Sequence, residues 1–443
     1  MRDSPAPTLE RYRQVVSRLN TMKLNGKVSH VVGVVLESRG PAARLGEVCE
    51  IHVSRSVPPI PAEIVGFREN HVLLMPLGDM EGIALGSDVI ARGSSMKVRV
   101  GRGLLGRVLD GLGRPIDGLG PIETEDELLV SRTPPSALKR QRIKESLAFG
   151  VKAIDGPLTC GRGQRIGIFA GSGVGKSILL GMIARNTEAD VNVIGLIGER
   201  GREVRDFIEK DLGPEGLAKS VVVVATSDQN ALVRLKGAMV ATTIAEYFRD
   251  QGKDVMLMMD SVTRVAWAQR EIGLAVGEPP TTRGYTPSVF ALLPKLLERS
   301  GTAASGSITA LYTVLVEGDD MNEPVADSVR STLDGHIVLS RDLAHGNHYP
   351  AIDVLASVSR LMPDIVPEDH LEAASRLRDL LATYRSAEDL INIGAYADGS
   401  NPKIDYAKAH IEEANGFLRQ GIDEAAPFGE TISRLKDLFG AEK

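Results

Sequence analysis

Arg165-Ile166-Gly167-Ile168-Phe169-Ala170-Gly171-Ser172-Gly173-Val174-Gly175-Lys176-Ser177, continued by Ile178-Leu179-Leu180-Gly181-Met182-Ile183-Ala184-Arg185, is the stretch from which the rest of the chain can be read. A short apolar run, a glycine-dense turn and a segment with apolar residues at helical spacing predict strand, loop and helix, the layout of a phosphate-binding P-loop. Gly171, Gly173 and Gly175 let the backbone bend so that successive N–H groups face an anion. Lys176 is placed to reach outer phosphates, and the Ser177 hydroxyl to ligate Mg²⁺. The expected nucleotide-contacting stretch is therefore Gly171, Ser172, Gly173, Val174, Gly175, Lys176, Ser177 and Ile178. The strict pattern has glycine six residues before the lysine, and Ala170 stands there as a small-residue variant.

The 443 residues are too many for one ordinary core and predict two or three domains. A formal net charge of -6 argues against a surface built wholly for nucleic acid. Cys49 and Cys160 are far apart and form no metal spacing, so both read as buried apolar residues in a reducing, cytoplasmic setting. No run is apolar enough to span a bilayer, and Met1-Arg2-Asp3-Ser4-Pro5 is not the start expected of a signal peptide. Any work at a membrane would need a partner to hold the chain there.

In chain order, residues 1–25 predict a basic amphipathic helix, with Leu9, Tyr12, Val15, Val16 and Leu19 on one face, suited to a partner helix, to an anionic surface or simply to its own domain. Residues 26–95 change to short β-branched runs separated by turns such as Gly40-Pro41 and Pro58-Pro59, which predict a small closed β-barrel that organises an assembly. The glycine-rich residues 101–118 read as a tightly turning connector. Residues 96–365 alternate apolar strands with helical patterns, as a mostly parallel α/β sheet requires. Its candidate strands include Val191–Ile197, Ser220–Ala225, Val255-Met256-Leu257-Met258-Met259 and Gly335–Leu339. Residues 366–443 predict a helical domain ending in an apolar stripe of Ile432, Leu435, Leu438 and Phe439.

Chemistry is expected at the ends of these strands. Asp260 closes an apolar strand and reads either as a second support for the metal or as a helix cap beside Ser261 and Thr263, and its pairing with a P-loop favours the metal. Gly198-Glu199-Arg200-Gly201-Arg202-Glu203 follows another strand. Glu199 is the first candidate to activate water, Glu203 competes with it, and Arg200 would neutralise phosphate charge. Composition does not single out Arg360, which follows Ser357-Val358-Ser359.

These motifs, together with Tyr349-Pro350-Ala351-Ile352-Asp353, resemble the rotary ATPase family that includes the catalytic subunits of ATP synthases. Gly277-Glu278-Pro279-Pro280-Thr281-Thr282-Arg283-Gly284-Tyr285-Thr286-Pro287-Ser288-Val289-Phe290 and Val316-Glu317-Gly318-Asp319-Asp320-Met321-Asn322-Glu323-Pro324 resemble, within it, the flagellar type III protein-export ATPases. The resemblance covers nearly the whole chain. It implies a RecA-like P-loop core between a β-barrel and a helical domain, and Mg²⁺-dependent ATP hydrolysis that energises protein export. By the same resemblance Lys176, Ser177 and Asp260 hold phosphates and Mg²⁺, Glu199 activates water with Arg200 nearby, and Arg360 is an arginine finger reaching a neighbouring subunit. Tyr349 would lie against adenine, with Tyr396 a weaker candidate, and residues 278–290 would face the pore of a homohexamer.

The implied partners are further copies of the chain, a stator-like regulatory dimer at the N-terminal helix, a coiled-coil stalk protein, a membrane export gate and chaperone-bound flagellar cargo. The implied location is cytoplasmic and peripheral, at the inner face of the cytoplasmic membrane. A virulence-type injectisome ATPase shares this chemistry, and an ATP synthase catalytic subunit shares the architecture. A hexameric nucleic-acid translocase would show aromatic residues on the barrel for stacking bases, whereas residues 26–95 contain Phe67 as their only aromatic other than histidine.

Overall fold

The computed structural model describes residues 25–54, 56–316, 318 and 320–439. The expected basic N-terminal helix, but for Asn25, lies outside the described residues. The chain divides into two compact units, Met1–Met96 and Lys97–Lys443.

The first unit is the predicted barrel. Strands β1 (Asn25–Val32), β2 (Val35–Arg39), β3 (Glu47–His52), β4 (Ile60–Arg68), β5 (His71–Pro76) and β6 (Asp88–Ser95) close in the order β1-β2-β5-β4-β3-β6. Alternate residues turn inward, so Val28, Leu36, Cys49, Ile51, Ile64, Leu74 and Val89 form a core of the barrel's own. Closure leaves no unpaired edge among these short strands.

The second unit begins with β7 (Lys97–Val100), which pairs with β9 (Asp126–Leu129) as a separate ribbon. Between them, β8 (Val108–Asp110) lies inside the glycine-rich connector and adds to the edge of the main sheet, a strand too short to show in the pattern. The main sheet is then built from β10 (Arg165–Ala170), β11 (Val191–Ile197), β12 (Ser220–Ala225), β13 (Asp254–Asp260), β15 (Ser307–Leu315), β16 (Gly335–Leu339) and β17 (Ile352–Ser359), with β14 (Gly301–Thr302) as a short antiparallel extension of β15. Its order is β17-β16-β10-β15-β13-β11-β12-β8. All pairs along this path are parallel except β16 with β17. Every residue of β11 and β12 is buried, which explains their unbroken apolar sequence: helices cover both faces of a parallel sheet.

β17 was not legible as a strand, because Ile352-Asp353-Val354-Leu355-Ala356-Ser357-Val358-Ser359 carries three polar side chains and sits on the sheet's edge. Beyond it, helices Glu368–Asn392, Pro402–Leu418 and Phe428–Asp437 follow as predicted. Leu377, Ile411, Phe417 and Leu435 belong to the same apolar cluster as Ile166 and Ile168 of β10, so the helical end shares the core of the nucleotide-binding sheet, resting against β17 and the short helix Lys152–Asp155. Leu438 and Phe439 of the terminal stripe rest against that cluster.

The strand order decides where chemistry can occur. β10, β15, β13 and β11 are neighbours and parallel, so the P-loop, Asp260 and the Gly198-Glu199 turn leave the sheet at one carboxyl edge.

Candidate active site

The P-loop leaves β10 at Ala170 and enters the helix Lys176–Asn186 through Gly175. Gly173 and Gly175 have φ of +81° and +88°, a backbone that L side chains adopt only with strain. Lys176 is consequently the first residue of the helix, with Ser177 and Ile178 exposed on its opening turn. Free N–H groups at that terminus suit an anion.

Lys176 Nζ donates a hydrogen bond to Asp260 Oδ1 and lies 3.8 Å from Glu199 Oε1. Thr313 Oγ1, from the strand between β10 and β13, donates to the same Asp260 oxygen at 2.7 Å. Asp260 is 3% exposed. Ser261 supplies the cap of the helix Val262–Val276, its Oγ accepting from the Arg264 N–H at 3.4 Å, so the cap reading of Asp260 is not the one the backbone uses. Ser177 and Asp260 offer one hydroxyl and one carboxylate, the oxygen donors a small hard cation takes when phosphate oxygens and water complete its shell. Among the described residues no cluster of three or more His, Cys, Asp or Glu could hold a metal ion.

Glu199 follows β11 in a turn pinned by Gly198 N–H donating to Ala225 O at 2.6 Å and Ser227 N–H donating to Glu199 O at 3.0 Å. Its Oε1 is buried without a hydrogen-bond partner. Burial, and then the negative charge of Asp260, push the Glu199 carboxyl up to about 7, with Lys176 opposing them. A carboxyl poised near neutrality is suited to take a proton from water. Glu203 is half exposed and paired with Arg200 at 3.3 Å, which favours Glu199 of the two carboxylates. Arg200 is exposed, capping the helix Gly201–Asp206, and is not drawn toward Lys176.

Tyr349 lies beside the P-loop: a Cβ built on Gly175 would be 3.7 Å from its ring carbons Cδ1 and Cε1. Its ring is partly exposed, as a surface for a planar base must be, and its carbonyl accepts from Gln420 N–H at 2.9 Å. Tyr396 is used otherwise. Its hydroxyl donates to Asn401 O and bonds the Asp405 carboxylate, each at 3.0 Å, and so locks the turn between two C-terminal helices.

Arg360 is exposed just beyond β17. Because β17 runs antiparallel, pairing Ser359 with Gly335 and Ile352 with Leu339, Arg360 lies at the edge opposite the P-loop. Five residues of strand at ~3.3 Å each put it at least ~16 Å from its own phosphate loop. Two contributors were not anticipated. Thr313 is a hydroxyl inside an apolar strand, a signal available in the sequence, and Arg264, whose Nη1 donates to Gly198 O at 2.9 Å, became visible only through the fold.

Comparison with known proteins identifies the family. Residues 28–93 match the beta-barrel domain of the ATP synthase alpha/beta family, residues 150–359 its nucleotide-binding domain, and residues 366–437 the T3SS EscN ATPase C-terminal domain. The chain is 57% identical to the flagellum-specific ATP synthase of Bacillus subtilis, over 97% of this chain and 98% of that one. It is 53% identical to the type 3 secretion system ATPase of Xanthomonas euvesicatoria, over 93% of each. The solved structure of the assembled ATPase EscN from the enteropathogenic E. coli type III secretion system superposes with a TM-score of 0.88 at 48% identity, covering 93% of this chain and 99% of that one. EscN in complex with its central stalk EscO superposes with a TM-score of 0.86. With a P-loop lysine, a strand-end aspartate and a near-neutral glutamate converging at one sheet edge, the chain belongs to the ATP synthase alpha/beta family, in the branch of the flagellum-specific ATP synthases and type 3 secretion ATPases, and is an ATPase.

Proposed function

We propose that this ATPase energises export of flagellar proteins and works as a homohexamer whose sites are completed across subunit boundaries. The observation that carries the assembly is the position of Arg360 at the sheet edge away from its own P-loop. An arginine there cannot meet phosphate in its own chain, yet it is exposed for a neighbour's. Similarity to an assembled EscN and to EscN with its stalk supports the ring and a coiled-coil stalk partner.

In the bound state Lys176 leaves Asp260 for the outer phosphates, while the P-loop N–H groups hold the phosphate chain and Tyr349 takes the adenine face. Ser177 and Asp260 would hold Mg²⁺, which would supply neutralisation of phosphate charge. Glu199 orients the attacking water and accepts its proton, and the neighbouring subunit's copy of Arg360 stabilises the charge that develops on the transferred group. Arg200, at the mouth of the Glu199 turn, adds positive charge near the outer phosphate. The basic residues 1–24 suit a stator-like dimer and docking at a membrane export gate, and the C-terminal helices suit the stalk and chaperone-bound cargo. Among the described residues no helix is long and apolar enough to cross a membrane, and the docking in this reading is through partners on the cytoplasmic side. The similarity to type 3 secretion ATPases favours, as a second reading, service to an injectisome, with the chemistry unchanged.

ATPase activity is measured against protein concentration for wild type and Arg360→Ala, with mass photometry on the same samples. Wild-type specific activity is expected to rise with hexamer formation. The variant should bind nucleotide as a monomer while losing about 10³-fold or more of its assembled rate. Flat activity from a monomer would remove the composite site.

A further inference from the structure

The helix that follows Asp260 carries more than the metal-side carboxylate. Arg264, Trp267 and Arg270 recur at three-residue spacing along Val262–Val276 and share one side of it. Arg264 Nη1 donates to Gly198 O at 2.9 Å, the carbonyl immediately before Glu199. Gly198 has φ of +74°, and a Cβ there would come within 2.9 Å of Arg264 Cβ, so turn and helix are in close contact. The Arg264 guanidinium stands 5.3 Å from the Trp267 ring centroid. Trp267 Nε1 in turn donates to the Tyr285 hydroxyl at 3.1 Å, and Arg270 covers the Tyr285 ring at 5.4 Å. Tyr285 is 4% exposed and closes the 277–285 loop, its carbonyl accepting from both the N–H and the hydroxyl of Thr281 at 2.7 Å. Beside this column lies a cavity of about 310 Å³ bounded by Thr263, Trp267, Arg283, Leu315 and Glu323, which leaves the loop room to move.

We propose that Arg264 and Trp267 are positioning residues in a column, Gly198–Arg264–Trp267–Tyr285, that couples the orientation of Glu199 to the conformation of residues 277–286. The inference rests on the reading of Glu199 as the water-activating carboxylate. Arg264 fixes the peptide plane from which Glu199 projects, and Trp267 fixes Arg264 by its ring face and Tyr285 by its N–H. Displacement of the loop therefore tilts Glu199, and a carboxylate misplaced by about 1 Å costs up to about 10²-fold in rate. The loop then sets turnover without changing the P-loop's hold on the nucleotide.

Trp267 is the only tryptophan in the chain, so its emission reports on the column directly. In the full-length wild type, saturating Mg²⁺ with a non-hydrolysable ATP analogue should shift that emission. In Arg264→Lys the shift should disappear while calorimetry still records analogue binding. Trp267→Phe keeps an aromatic face and removes the donor, and Tyr285→Phe removes the acceptor. Each should lower kcat about tenfold at unchanged KM, and the double variant should be no slower than either single one, because all three lose the same bond. An unshifted wild-type emission at saturation overturns the column, as do additive losses or losses carried by KM. The Glu199 reading fails separately, if Glu199→Gln hydrolyses ATP at the wild-type rate.

Discussion

At the scale of single residues the site is a contest for one ammonium. Lys176 is held by Asp260 and approached by Glu199, so the two carboxylates receive unequal shares of its charge. Burial, and then the charge of Asp260, raise the proton affinity of Glu199, to about 7. A carboxyl raised in the folded state binds a proton that the unfolded chain has already lost, so its contribution to stability falls as pH rises from about 4.5 to about 7. Glu199→Gln removes that cost. It is expected to abolish hydrolysis yet raise the melting temperature of the nucleotide-free protein, by an amount larger at pH 8 than at pH 5 and worth about 1–2 kcal/mol, read by calorimetry at both pH values. Lys176→Ala should show no nucleotide binding by calorimetry, since the same substitution removes the phosphate contact and leaves Asp260 without its cation. Both carboxylates were legible from their places after apolar strands. Glu199 was already the first candidate with Glu203 competing, and what separates them, burial of one and the Arg200 pairing of the other, exists only in the folded chain.

Among the elements, the helix Lys176–Asn186 does most to fix the site, and its anchoring lies on the face away from the phosphates. Gly181 packs so tightly against the turn of π-helix Phe207–Leu212 that an added Cβ would fall 2.6 Å from Asp211 O. Arg185, further along the helix, donates to the same carbonyl. Gly181→Ala should therefore destabilise the protein by about 1–3 kcal/mol in denaturant melts although alanine is the better helix former, because overpacking outweighs the gain in propensity. It should also weaken nucleotide binding, since shifting this helix moves Lys176. The loop after Pro402–Leu418 is a second anchor: Gln420 bonds Lys152 N–H and Gly150 O, and Lys152 Nζ donates to Glu424 at 2.8 Å. The parallel strands could be read as apolar runs because both their faces are buried. β17 could not, since Asp353, Ser357 and Ser359 interrupt its apolar run, and only the folded chain shows Ser357 buried and bonded to Val338 N–H and Asp353 O.

For the whole molecule, the two compact units divide the work. Lys176, Asp260, Glu199 and Tyr349 all lie in Lys97–Lys443, while the barrel has its own closed core and none of these groups. The assembly role expected of the barrel predicts that a chain beginning at Lys97 binds nucleotide with near wild-type affinity by calorimetry but loses the rise of specific activity with concentration. Equal concentration dependence with and without it would reverse that division. The sequence by itself determined the P-loop, the alternation of strand and helix, the barrel and the helical end, because glycine geometry and the periodicity of burial act over a few residues at a time. Which strands stand side by side was decided by the tertiary structure alone. That order sets Thr313 beneath Asp260, turns β17 so that Arg360 faces away from its own P-loop, and brings Arg264 against Gly198. Each of these depends on contacts between segments far apart in the chain, whose closeness is a property of strand order and packing and not of local pattern.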